Sequence, residues 1–298
     1  MNFLKKTKEF ILNFFNLTKI LSNVKNIAVV LLSFYLSGST LDWYKLIMGI
    51  VALSFISSAI YIYNNLSDVK IDIYNEHKNY YSKTVRYFGE KNALILTVIF
   101  IILGLYSGFT INFYFLTSLI ALLITGFLYS FKFTRFKEKV IFDVLFGATL
   151  TSLFRFIASW FIFSISSPPL LVAMALVFAK SAGYMLYKEV DRAPLSVLKI
   201  KNSITVASKK TIIIISILLW LISFSSFIFL CLNAKYFQMG YLGELPIKFL
   251  FLILFAVPPL AIIYLLVLNK IKTQIRYLRI VGFCYWILVI IIIWRFFL

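Results

Sequence analysis

The sequence reads as an all-α polytopic membrane protein, a nine-helix transmembrane bundle with a cytoplasmic N-terminus. Of the 298 residues, 62% are hydrophobic and 14% charged, against about 45–50% and about 25% in soluble domains. Mean hydropathy is +0.95. The apolar residues fall in runs, several longer than the roughly 18 residues that mark a spanning helix. With no water in the hydrocarbon, each span must satisfy its own backbone, and a helix does so. A β-barrel needs short alternating segments, and these runs do not alternate.

The expected spans are 27–41, 44–64, 93–108, 114–131, 140–163, 168–187, 211–232, 247–268 and 280–297. The first and third are short, so tilt or an interfacial position is expected for them. Pro258 and Pro259 lie in the middle of the eighth and predict a kink. Residues 1–26 are basic and amphipathic, without the apolar core and small-residue cleavage site of a leader, and read as an interfacial segment. No linker, low-complexity tract or fixed-period repeat divides the chain, so 1–298 reads as a single domain.

Charge fixes the orientation. Lys and Arg crowd the N-terminal segment and the loops after spans two, four, six and eight, whereas 109–113 and 164–167 carry none. The loops after spans one and seven hold only Lys45, Lys235 and Lys248. This positive-inside alternation places the N-terminus and the loops 68–92 and 188–210 in the cytoplasm and the C-terminus outside. It also accounts for the net charge of +19 without nucleic acid, which is not expected as a partner. Cys231 and Cys284 lie within apolar runs and form no disulfide framework. The plasma membrane is the expected location, with membrane lipids as partners and the active site facing the cytoplasm.

With only 11 acidic residues in the chain, their placement is informative. Asp68, Asp72 and Glu76 recur at every fourth position after span two, so a helix continuing past Asn64 stacks them on one face. Like charges so placed repel, and a bound cation offsets the repulsion. Oxygen ligands without His or Cys suit Mg²⁺, which takes one or two carboxylates together with substrate phosphates. A solvated helix extension beside Lys70 and Lys78 is the bland alternative.

The stretch YIYNNLSDVKIDIYNEHK resembles the first aspartate-rich motif of the UbiA-type intramembrane prenyltransferases, Asn-Asp-x-x-Asp-x-x-x-Asp followed by Asn-Glu. Asn64, Asp68 and Asp72 fall on the motif positions, and Asn75 and Glu76 on the following pair. Asn65 stands in place of the first aspartate, leaving a neutral carbonyl oxygen as a weaker ligand. The resemblance implies nine transmembrane helices and a second acidic motif after helix six. There the chain reads FAKSAGYMLYKEVDRAP and offers Glu189 and Asp191, which do not share a helical face. The implied metal ligands are thus Asn64, Asn65, Asp68, Asp72, Glu189 and Asp191, with Mg²⁺ as cofactor.

Diphosphate chemistry needs positive charge where the leaving group gathers negative charge. The segments VKN and LYSFKFTR resemble phosphate-contacting stretches of the family, which assigns Lys25 and Lys132 to phosphate with Tyr129 beside them. Lys78 follows the motif, and Lys180 lies within span six. Arg155 lies deep in span five, about three turns from Asp143, and a guanidinium there must pair or face a polar cavity. Asp68, Asp72, Tyr129 and Arg155 are therefore the expected catalytic groups. His77, the only histidine, reads as incidental.

Three functions fit these residues. The first is a transferase that moves a polyprenyl group from its diphosphate to an acceptor. The second reverses the roles, as in a branch of the family in which polyprenyl phosphate accepts from phosphoribosyl diphosphate. The stretches NVKN, DVLFGATLTSLFRFIA and FAKS resemble that branch, although Ser159 replaces its usual glycine. The third, a transporter or non-catalytic scaffold, would predict inverted repeats and paired broken helices, and neither is evident.

Overall fold

The computed structural model describes residues 2–74, 78–189, 191–233 and 275–297, and every regular element among them is a helix. Seven of these are long and apolar enough to cross a membrane. The predicted span 247–268 lies outside the described residues, as do Asn75, Glu76, His77, Lys235 and Lys248.

Helix α1 (Asn2–Thr18) is amphipathic. Lys5, Lys6 and Lys8 face outward, while Phe10 packs edge-on against Phe88 at 5.5 Å and Leu17 is fully buried. The chain then turns through Lys19 in a left-handed conformation and a short 3₁₀ helix, Ile20–Asn23, into α2 (Val24–Ser37). Gly38 ends α2 with φ 62°, a conformation that glycine adopts without a Cβ clash. The first span therefore covers Ile20–Ser37 rather than 27–41.

Helix α3 (Trp43–Asp72) positions the site. Asp42 caps it by accepting the Lys45 N–H at 3.1 Å, and no proline interrupts its 30 residues. At 1.5 Å per residue it is about 45 Å long, against about 30 Å of hydrocarbon, so its last turns stand beyond the apolar layer. Asp68 and Asp72 are thus in helix, which corrects the reading of 68–92 as a loop. The rest of that segment contains α4 (Asn79–Phe88). Helices α5 (Glu90–Phe109) and α6 (Phe113–Ser130) pack on α3 through small residues. A Cβ on Gly104 would meet Ile56 at 2.8 Å, and one on Gly126 would meet Ile60 at 2.6 Å.

The fifth span, Phe142–Phe161, is not a uniform helix. It comprises α7 (Phe142–Val144), a π-helical turn at Leu145–Thr149 and α8 (Leu150–Phe161). The sixth is α9 (Leu170–Glu189). Two short helices, α10 (Arg192–Val197) and α11 (Ser203–Val206), occupy what read as the loop 188–210. Helix α12 (Lys209–Asn233) packs along α9, and α13 (Ile275–Phe297) packs along α2. The main core joins α2, α3, α6, α8 and α9, with Phe115, Phe156, Leu53 and Ile56 fully buried.

Connections after even and odd spans gather at opposite ends. At one end Lys78 bonds Asp191, Lys137 bonds Asp68, and Ser203 accepts the Ile141 N–H. At the other, Ser39 donates to the Phe163 carbonyl and Asn112 to that of Phe161. The basic loops thus share one face of the bundle, as the charge alternation requires.

Candidate active site at the basic end of the bundle

A cavity of about 360 Å³ opens at the basic end between α2, α3, α6, the fifth span and α9. Its chemistry changes with depth because α3 crosses its whole height. Ser57, Tyr61, Asn64, Asp68 and Asp72, spaced by three or four residues, line one helical face. Across from them α9 presents Lys180, Tyr184 and Lys188, each a turn apart.

The outer end carries the carboxylates. Asp72 is buried, and both it and Asp68 face the cavity. Asp68 Oδ1 accepts from Lys137 Nζ at 2.5 Å. Asn64 Oδ1 is engaged by the Ser130 hydroxyl at 2.7 Å. Asn65 donates its amide to the Leu17 carbonyl at 3.3 Å, and its Oδ1 is buried without a hydrogen-bond partner. A buried carbonyl oxygen left unpaired is costly, and on the helix that carries the two aspartates it has the chemistry of a hard-cation ligand. Asn65, Asp68 and Asp72 therefore fit one Mg²⁺, its remaining positions going to substrate oxygens and water.

Glu189 and Asp191 are each engaged by basic side chains. Arg192 grips Glu189 through two bonds of 2.7 and 2.8 Å. Asp191 is held by Lys78 at 2.5 Å and Lys188 at 3.6 Å. Neither lines the main cavity, and no cluster of three or more metal-ligating His, Cys, Asp or Glu occurs among the described residues. Helix α9 ends at Glu189 and each carboxylate turns to a cation, while Asp191 lines a smaller adjoining pocket together with Asp68, Asp72 and Lys78.

Burial lowers the affinity of Lys78 for its proton, Asp191 raises it, and the balance lies above the ordinary lysine value. For Lys137 burial outweighs the pull of Asp68, leaving it below that value. Burial, reinforced by Tyr187, Asp72 and Tyr61, holds the Tyr81 phenol well above its usual range. Lys78 is thus a firm cation at the mouth, and Tyr81 a proton-bearing donor.

Tyr129 meets the Tyr184 hydroxyl at 2.8 Å midway down the cavity, over Gly147. Deeper still, Lys25 donates to the Tyr61 hydroxyl, and Arg155 and Lys180 converge on the same phenol. Asp143 is not their partner. It is buried and accepts from Ser203 at 2.5 Å.

Of the expected phosphate ligands, Lys25, Lys78 and Lys180 line the cavity, as do Tyr129 and Arg155. Lys132 does not. Helix α6 ends at Ser130, the backbone extends at Phe131, and Lys132 points outward. The 3₁₀ turn Phe136–Glu138 then brings Lys137 back to Asp68. Sequence reasoning also missed Lys19, Tyr61, Tyr81, Tyr184, Tyr187 and Lys188. The spacing of Lys180, Tyr184 and Lys188 was a usable signal, since it marks one polar stripe on an apolar helix. Lys19 and Lys137 arrive from irregular segments, which carry no periodicity.

The UbiA prenyltransferase family model matches residues 26–288. No curated protein sequence matches the chain. Among solved structures, the fold is similar to a UbiA homologue from Archaeoglobus fulgidus bound to GPP and Mg²⁺. The TM-score is 0.76 at 17% identity, covering 95% of this chain and 98% of that one. An apo UbiA homologue from Aeropyrum pernix K1 has a TM-score of 0.73 at 16% identity, covering 93% and 96%. A digeranylgeranylglyceryl phosphate synthase structure has a TM-score of 0.61 at 15% identity, covering 96% and 99%. With a match over most of its length and this architecture, the chain is an integral membrane protein that belongs to the UbiA prenyltransferase family.

Proposed function

We propose that this protein is a Mg²⁺-dependent intramembrane transferase that moves a polyprenyl group from its diphosphate to an acceptor. The observation that carries the reading is one cavity holding Asn65, Asp68 and Asp72 on one wall and Lys78 and Lys188 on the facing side. Asn65, Asp68 and Asp72 would hold the metal, whose chemistry is to neutralise a diphosphate and ease its departure. Lys78 and Lys188 are placed to bind the departing diphosphate, and the Tyr129 and Tyr184 hydroxyls to donate to its oxygens. Ile60 and Phe146, both half-buried, and the buried Leu122 would supply apolar surface for the first units of a prenyl chain. A structure of the A. fulgidus homologue with DMAPP and Mg²⁺ is consistent with such a substrate class. The proposed site opens to the cytoplasmic side of the plasma membrane.

One observation favours the second reading, in which polyprenyl phosphate accepts from phosphoribosyl diphosphate. Lys25, Arg155 and Lys180 lie beyond the carboxylates and exceed what one diphosphate needs.

The test gives purified protein either labelled polyprenyl diphosphate with aromatic or glycerol-phosphate acceptors, or polyprenyl phosphate with phosphoribosyl diphosphate. Product is expected from the first mixture, with Mg²⁺ and not with EDTA. Product from the second alone transfers the assignment to the second reading. No product from either removes the transferase reading.

A further inference from the structure

Three cations converge inside the bundle where no carboxylate answers them. Lys25 comes from the first turn of α2, Arg155 from α8 and Lys180 from the middle of α9. They are close enough to one another to repel, and their shared neighbour is the neutral Tyr61 phenol. Among the described lining residues the only acids are Asp68 and Asp72. Asp68 lies two helical turns above Tyr61, about 10 Å along the α3 axis, and its charge is already met by Lys137. Arg155 is 9% exposed, and its Nε is buried without a hydrogen-bond partner.

Positive charge held within membrane spans is costly unless it is paired or faces a polar cavity. Three such basic groups facing one space are suited to a multiply charged anion. We infer that Lys25, Arg155 and Lys180 form a second anion site, distinct from the carboxylate end, that takes the dianionic phosphate of a phosphate monoester.

The chemistry fits in number and shape. A monoester phosphate offers three terminal oxygens and close to two negative charges. Arg155 presents a planar fork of donors, and the two ammonium groups complete the charge. Thr151 and Ser57 line the same depth and can donate hydroxyl hydrogen bonds. A diphosphate held at Asp68 and Asp72 has Lys78 and Lys188 as its own cations at that end of the cavity. The reading rests on the transferase proposal and narrows it: one substrate carries a phosphate separate from the reacting diphosphate. That phosphate belongs either to a lipid headgroup or to a soluble phosphorylated molecule.

Full-length protein in nanodiscs, with EDTA present, is titrated with geranyl phosphate and with ribose 5-phosphate, and binding is read by calorimetry. At least one is expected to bind without metal. Lys180→Gln and Arg155→Gln should each weaken it roughly ten- to a hundred-fold, the loss of one charged hydrogen bond. Lys180→Arg should retain most of the affinity, which separates lost charge from lost folding. Lys210→Gln, exposed at the start of α12, should leave it unchanged. Binding of geranyl phosphate alone assigns the site to a lipid headgroup, and of ribose 5-phosphate alone to a soluble substrate. No binding of either, or binding indifferent to Lys180→Gln and Arg155→Gln, overturns the inference. Geranyl diphosphate with Mg²⁺ is titrated in parallel. If it binds and the monoesters do not, the deep site is wrong while the transferase proposal stands.

Discussion

Asp68 and Asp72 occupy the last turns of α3, where the helix dipole disfavours negative charge by about 0.3–1 kcal/mol per group. Lys137 offsets this for Asp68, and the metal is the natural counter-charge for the remaining oxygens. Asp68→Asn and Asp72→Asn keep side-chain volume and remove the charge, so insertion and expression should persist. Turnover should fall by about 10²–10³, the scale of removing one preorganised electrostatic contact. Asn65→Asp should instead lower the Mg²⁺ concentration for half-maximal activity, because it adds an anionic oxygen where an unpaired carbonyl now sits. Activity measured against Mg²⁺ concentration for the three variants checks both claims. Undiminished turnover in both Asp→Asn variants would remove these residues from the chemistry.

Much of the site follows from helical faces, and that part was legible before the structure. Asn64, Asp68 and Asp72 needed only the premise that the second helix outlasts its apolar stretch, and α3 continues because nothing between Asn64 and Asp72 breaks it. Lys25, Tyr129, Arg155 and Lys180 fell at span ends or interiors, where a charge or phenol stands out against apolar neighbours. The ion pairs of Glu189 with Arg192 and of Asp191 with Lys78 and Lys188 had no sequence signal, because proximity to a motif does not reveal which cation a carboxylate meets. The π-turn at Leu145–Thr149 had no sequence signal, yet it sets Gly147 against Tyr129 and Tyr184. A Cβ at Gly147 would lie 2.7 Å from Tyr184 Oη and 2.9 Å from Tyr129 Cε2. Gly147→Ala should therefore displace the tyrosine pair, lowering kcat with little change in Tm. Gly104→Val should act in the opposite sense, because its Cβ would press on Ile56 and the Ala52 carbonyl in the α3–α5 contact. Overpacking of about 1–3 kcal/mol should lower Tm while leaving kcat of the folded fraction intact. Thermal unfolding and steady-state kinetics on the two variants separate them.

At the scale of the whole molecule, the charge asymmetry and the cavity position are one fact. The mouth lies at the end where Lys78, Lys137, Lys188 and Arg192 gather, whereas Lys45 at the other end is paired with Asp42 at 3.9 Å. Short loops rich in Lys and Arg stay on the cytoplasmic side during insertion, so the expected outcome is a cavity that opens there. Such an orientation would admit water-soluble phosphates from the cytoplasm and lipids from between the helices. Lys83 on α4 and Lys201 before α11 are exposed at the basic end, and Ser166 is exposed at the other. Single cysteines at these three positions, with Cys231 and Cys284 replaced by serine, report the orientation through a membrane-impermeant maleimide. In intact cells position 166 should label, while 83 and 201 should label only after permeabilisation. The reverse pattern would turn the bundle over and place the cavity mouth outside. Labelling of all three in intact cells would mean that the two loop sets do not lie across a membrane from each other, contrary to the arrangement of α2 to α9.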